Sequence, residues 1–193
     1  MENIILASNS PRRKEILGKF NINLKIEKSS VDEKVNEGDM PEQVAMALAF
    51  EKTLDVASRC DDESIVIGAD TIVVKDDHIL GKPLDYDDAF NTLKKLSGTY
   101  HHVITGVSVI RANTYKKVVF YEKTRVKIKN LSDDDISNYI NTNEVWDKAG
   151  SYGIQGIGSA LVESIKGDYF NVVGLPICKL GNILRREFNI KLI

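Results

Sequence analysis

In 193 residues, 26 lysines and arginines stand against 28 aspartates and glutamates, a net charge of -2, with 42% hydrophobic residues and only 4 prolines. That balance argues against an intrinsically disordered chain, because enough apolar surface is present to offset the entropy of ordering it, and it removes the simplest electrostatic case for a duplex nucleic-acid binder while leaving room for a local basic cluster that holds a small phosphate compound. No apolar run approaches the roughly 20 residues that cross a bilayer, and the charges of MENIILASNSPRR follow its apolar stretch, the reverse of a secretory signal.

The run Asn3–Ala7 predicts a short strand ending in the turn Ser8-Asn9-Ser10, and Pro11 opens a helix in which Ile16, Leu17 and Phe20 recur at helical spacing. Ser10 is placed to cap it, with Pro11 at the first position, where a missing N–H costs nothing. A strand is expected at 24–28, then a polar loop, SSVDEKVNEGD, then a long alanine-rich helix from Pro41 to Ser58 that carries Lys52. From Ser64 two strand-like halves are interrupted by Gly68 and Asp70, and an Asp76-Asp77 turn leads to a third short strand. DYDDAFNTLKKLSG puts Phe90, Leu93 and Leu96 on one face and closes at Gly98, an amphipathic helix. HHVITGVSVIRAN and KKVVFYEKTRVKIK read as a hairpin, residues 132–141 as a helix capped by Ser132, and a glycine-rich segment leads to a last helix from about Leu175 to Phe188. The expectation is an α/β fold with a mixed twisted sheet and flanking helices. With no repeat and no Pro/Ser-rich linker, residues 1–193 are expected to form a single domain, with room for two lobes.

Four places carry candidate chemistry. At Ser8-Asn9-Ser10-Pro11-Arg12-Arg13 hydroxyls, two guanidiniums and the free N–H groups of a helix start converge, the equipment of a phosphate cradle; an ordinary cap followed by solvated arginines is the competing reading. Asp70 sits inside VIGADTIVV, and an ionised carboxylate among aliphatic neighbours is costly unless paired or bound to a metal; Thr71 beside it is open to plain strand chemistry. Glu33, Lys52 and Lys82 are each ordinary solvated charges taken singly, and gain interest because phosphate chemistry gathers cations and metal-binding groups from separate segments. Gln155 lies amid the glycines of Lys148–Gly158; its amide offers a donor and an acceptor for a base edge, against the reading of a mobile surface loop. Two cysteines, Cys60 and Cys178, are too few for a disulfide framework, and three histidines without H-E-x-x-H spacing offer little nitrogen ligation. The expected setting is a reducing cytoplasm, any metal is expected on oxygen ligands, and Cys60, Cys178, the His101-His102 pair and Trp146 are expected to be structural, Trp146 as core filling.

Taken together, LASNSPRRKEIL, GADTIVV, LGKP at Leu80–Pro83, KAGSYGIQG and NVVGLP, in this order over nearly the whole chain, resemble the Maf family of nucleoside triphosphate pyrophosphatases. The resemblance implies the architecture of inosine-triphosphate pyrophosphatases, two lobes around a nucleotide cleft, commonly as a homodimer. It implies hydrolysis of the α-β phosphoanhydride with a divalent cation, Mg or Mn. Asp70 matches the proton-accepting acid, Ser8, Arg12 and Arg13 the phosphate contacts of the first loop, Lys52 and Lys82 further cationic contacts, and Glu33 a helper carboxylate near the metal. Arg13, Thr71 and Gln155 match the specificity positions of the branch that prefers dTTP and UTP. The alternatives kept open are the same reaction on modified or non-canonical nucleotides and a regulatory role in septum formation, with neither nucleic acid nor membrane as partner.

Overall fold

The computed structural model describes residues 2–32 and 38–193. Strand β1 (Asn3–Ala7) is followed by helix α1 (Pro11–Gly18) and strand β2 (Asn23–Glu27), which returns parallel to β1 with Asn3 opposite Asn23 and Ala7 opposite Glu27. Pro11 holds the first helical position as expected, but the Ser10 side chain makes no capping bond. Instead the Ser10 N–H donates to Ser8 Oγ at 3.2 Å, so the hydroxyl that orders this turn belongs to Ser8. Helix α2 (Pro41–Ala57) turns a stripe of mostly small side chains inward: Val44, Ala45, Leu48, Ala49, Thr53 and Val56.

Strand β3 (Ile65–Lys75) runs unbroken for 11 residues, where the sequence suggests two halves interrupted at Gly68 and Asp70. The glycine serves close packing rather than a turn. A Cβ at Gly68 would lie 2.2 Å from Thr53 Oγ1 and 3.0 Å from the Ala49 carbonyl, so its absence lets α2 lie against β3. Asp76 and Asp77 turn the chain with φ of 49° and 63° into β4 (His78–Leu80), antiparallel to β3. Helix α3 (Tyr86–Leu96) is capped by the Asp85 carboxylate, which accepts from the Asp88 N–H, and has Lys94 and Lys95 in its last turn, opposite in sign to the helix-end dipole.

Strands β5 (Tyr100–Arg111) and β6 (Lys117–Ile128) form the expected hairpin, and α4 (Asp133–Ile140) starts in a capping box between Ser132 and Asp135. The glycine-rich stretch that follows contains two elements with no clear signal in the sequence, β7 (Val162–Lys166) and α5 (Tyr169–Val173). The first is mostly exposed and lacks apolar alternation; the second is a single turn and a half. Helix α6 (Ile177–Phe188) closes on Asn189 in the left-handed region at φ 57°.

The strands lie in the order β2-β1-β3-β5-β6-β7, with β4 also on β3. β1 is parallel to β2 and β3, while β3 with β4 and β6 with β7 are antiparallel, so the sheet is mixed. Two compact units can be distinguished: Met1–Asp70 with Thr105–Glu122 and Gly174–Ile193, and Thr71–Ile104 with Lys123–Val173. A core of the first joins Ile5, Ala7, Val56, Val66 and Ile110; that of the second joins Val73, Leu93, Leu96, Val126, Ile136 and Ile140. Trp146 is 39% exposed, its Nε1 donating to Asn143 Oδ1, so it does not fill the core as the sequence suggests. Among the described residues no helix is long and apolar enough to cross a membrane.

Candidate active site

In the first unit, β1 and β3 run parallel with Leu6 opposite Ile67, so the turn that leaves β1 at Ser8 lies beside the stretch of β3 that reaches Asp70. The C-terminal ends of parallel strands are where open α/β sheets bind their ligands. Asp70 is 8% exposed, and its Oδ1 accepts from Lys52 Nζ at 2.5 Å. The same close packing that Gly68 allows at Thr53 brings the neighbouring Lys52 within reach of the carboxylate. Burying a carboxylate is costly unless it is paired, and the Lys52 ammonium on Oδ1 supplies that pairing.

The Ser8 turn is built around one hydroxyl. Ser8, 9% exposed, accepts from the Ser10 N–H and from Arg13 Nη1, each at 3.2 Å, while its own N–H donates to the Leu6 carbonyl. Arg13 Nε donates to the Gly174 carbonyl at 2.8 Å, which fixes the guanidinium across the start of α1. Gly174 has φ +121°, a backbone that only glycine adopts readily, and this gives the NVVGLP string a structural purpose that the sequence alone did not supply. Arg12 is half-buried at the same helix start. A short helix with two arginines in its first turn and none of the acidic residues that usually occupy it suits an anion from outside the chain. Ser8 and Arg13 are thus joined at the end of β1, and Lys52 of α2 is joined to Asp70 on the neighbouring strand β3.

The remaining candidates lie in the second unit, Glu33 excepted, which falls outside the described residues. Thr71 follows Asp70 on β3 and is half-buried; Lys82 is exposed in the turn between β4 and α3. The Gly81 carbonyl accepts from the Gly150 N–H at 2.9 Å, so the Lys82 turn is tied directly to the segment that carries Gln155. That segment is no loose loop. Short 3-10 turns at Ala149–Ser151 and Gly156–Leu161 bracket Gln155, and side chains from outside it hold its backbone. Tyr139 Oη accepts from the Gly153 N–H at 3.2 Å, the Glu144 carboxylate accepts from the Ile157 and Gly158 N–H groups, and Tyr152 Oη is 2.7 Å from His101 Nε2. Burial pushes the Tyr139 phenol up to about 12 and the Tyr152 phenol higher still, so both stay neutral anchors. Tyr139 and Glu144 lie outside the strings singled out in the sequence; only the close spacing of Gly153, Gly156 and Gly158 signals that something approaches the backbone there.

Comparison with known proteins points one way. A family model described as Maf-like protein matches residues 3–187. The chain is 55% identical over 190 residues to a dTTP/UTP pyrophosphatase of Clostridioides difficile (strain 630), covering 98% of this chain and 97% of that one. It is 50% identical over 190 residues to a dTTP/UTP pyrophosphatase of Thermoanaerobacter sp. (strain X514), covering 98% and 99%. It is 51% identical over 193 residues to that of Alkaliphilus metalliredigens (strain QYMF), covering the whole of both. Among solved structures, a HAM1 protein from Coxiella burnetii superposes with a TM-score of 0.51 at 12% identity, over 84% of this chain and 81% of that one, a likeness of fold.

Proposed function

The chain belongs to the Maf family, and from that premise we propose that it is a nucleoside triphosphate pyrophosphatase that hydrolyses dTTP and UTP at the α-β phosphoanhydride, giving the nucleoside monophosphate and pyrophosphate. The observation that carries this reading is the buried Asp70 carboxylate, paired with Lys52, beside a turn in which Ser8 and Arg13 frame a helix start. That relatives identical at half or more of their aligned residues are dTTP/UTP pyrophosphatases supports the substrate assignment.

Asp70 accepts the proton of the attacking water and Lys52 holds its carboxylate in place. Ser8, Arg12 and Arg13 bind the phosphates at the start of α1, and Lys82 supplies a further cation; fixed positive groups there stabilise the charge that develops on the departing pyrophosphate. Gln155 and Thr71 hydrogen-bond the uracil or thymine edge, and a purine would leave those polar groups unpaired.

A divalent cation fits the donor set. Among the described residues no three or more His, Cys, Asp or Glu side chains gather into a metal cage. Mg or Mn needs only one or two carboxylates when substrate phosphates and waters complete its shell, and Asp70 suits that part, with Glu33 proposed as the second. When bound, the cation offsets part of the charge on the phosphate oxygens. In the same reading the enzyme is a homodimer, as the family resemblance implies, in the reducing cytoplasm that two cysteines without a disulfide framework suit.

The test is to incubate the purified protein with each common triphosphate and Mg and to identify the products. UTP and dTTP are expected to be converted fastest, to monophosphate and pyrophosphate, and Asp70→Asn is expected to lower turnover by at least about a hundredfold. Release of diphosphate and orthophosphate, or near-normal turnover by Asp70→Asn, would overturn the reading.

A further inference from the structure

We propose that Glu144 is a positioning residue for substrate selection: it caps the 3-10 turn after Gln155 in place of Gln155 itself, leaving that amide available to the base. The inference rests on the reading of Gln155 given above and extends it to a residue outside the glycine-rich string. Gln155 occupies the N-cap position of the turn Gly156–Leu161, where a polar side chain ordinarily folds back onto the first free N–H groups. Its side chain makes no such bond. The groups are instead taken by one carboxylate reaching over from the end of α4: Ile157 N–H donates to Glu144 Oε1 at 3.1 Å and Gly158 N–H to Oε2 at 3.2 Å.

The surroundings are shaped to this contact. Gly156 has φ +66°, and a Cβ there would stand 2.6 Å from Glu144 Oε1; a Cβ at Gly158 would stand 2.4 Å from the Gly153 carbonyl and 2.6 Å from Tyr139 Oη. Gly156 is thus favoured by its left-handed backbone, and Gly158 by the backbone carbonyl and the phenol that lie against it. Glu144 is itself rigidly based, between Asn143 at φ 63° and the fully buried Val145, with its N–H donating to Thr142 Oγ1 at 3.3 Å. Lys148 Nζ donates to the Glu144 carbonyl, and its stem covers Gly153. Glutamine at this position offers one acceptor and one donor, so one of the two N–H groups would face an N–H rather than an oxygen.

Glu144→Gln tests the assignment by two independent readouts. Amide hydrogen exchange over residues 153–158 is expected to accelerate about tenfold without a matching change elsewhere. The kcat/KM for UTP and dTTP is expected to fall about tenfold, mainly through KM, with that for purine triphosphates little changed, so discrimination narrows. In a Gln155→Ala background the same substitution is expected to change kcat/KM by less than about twofold, because both act through one contact. Unchanged exchange, an equal loss for every triphosphate, or additive effects in the double variant would each overturn the role of Glu144 while leaving that of Gln155 intact. A substrate ranking unaltered by Gln155→Ala would instead remove the reading of Gln155, and the selection role of Glu144 with it. Should Glu144→Gln fail to fold, Glu144→Asp, which keeps the charge on a shorter stem and reaches only one N–H, carries the same measurements and the same expected directions.

Discussion

The Lys52 and Asp70 side chains are only 14% and 11% exposed, so their ion pair is largely withdrawn from water. Removing the cation and removing the anion are not equivalent. Lys52→Met leaves a buried carboxylate without its lysine and is expected to destabilise the fold by about 3 kcal/mol, whereas Asp70→Asn keeps an amide oxygen for Nζ and costs less. The double variant is expected to be more stable than Lys52→Met alone; urea unfolding of the three proteins checks the order, and simple additivity would show that the pair does not hold the carboxylate. The acid could be singled out in the sequence because an aspartate among Ile, Val and Ala has few bland explanations. Its lysine, taken singly, looks like an ordinary solvated charge on a helix, and no local spacing pairs it with the acid. Arg13 was legible as a cation at a helix start, but its bond to a carbonyl 161 residues away follows from the path of the chain, which no local spacing reveals.

At the scale of elements, the approach of α2 to the sheet is governed by missing side chains. A Cβ at Gly106 on β5 would lie 2.1 Å from the Ala45 carbonyl oxygen and 2.2 Å from its carbon, both backbone atoms of α2 that cannot move alone. Gly106→Ala is therefore expected to cost about 3 kcal/mol or more, while Gly18→Ala, with nothing within 4 Å, is expected to be neutral or stabilising by about 0.5 kcal/mol. Thermal unfolding of the two variants, identical in chemistry, separates close packing from backbone freedom; similar melting points would contradict the packing account. The same geometry explains what could be read beforehand. Helices with caps and stripes, and the β5–β6 hairpin with its apolar strands, announce themselves locally. Continuity of β3 through Gly68 and Asp70 does not, because a glycine that admits a helix looks like one that breaks a strand. β7 and α5 were hidden for a different reason: an exposed edge strand and a five-residue helix bury too little to leave a periodic trace.

For the molecule as a whole, pH dependence of stability follows from one buried ring. His101 is 2% exposed, its Nε2 engaged with Tyr152 Oη and its Nδ1 without a hydrogen-bond partner among the described residues. Burial, helped by the nearby His102 and Lys75, lowers its pKa from 6.5 to about 4, so between those values the unfolded chain binds a proton that the folded one refuses. The stability this contributes is complete above pH 6.5 and is lost as the pH falls towards 4, amounting to about 3 kcal/mol across the window. Asp55, Asp62 and Asp135 are held below the usual 3.8 mainly by hydrogen bonds from Ser30, Ser64 and Ser132, so their share is lost only at still lower pH and does not obscure the histidine. His101→Gln retains a polar group for Tyr152 and does not titrate. It is expected to show a flatter fall in unfolding free energy between pH 7 and pH 4 than the unaltered protein, measured by urea unfolding at fixed ionic strength; parallel curves would remove His101 as the source. Because Tyr152 lies three residues before Gln155, protonation of this ring is also expected to loosen the substrate-selecting segment before the fold is lost. Discrimination against purine triphosphates should then narrow as the pH falls from 6.5 towards 4, and a ranking of substrates that stays constant down to the onset of unfolding would separate the two effects.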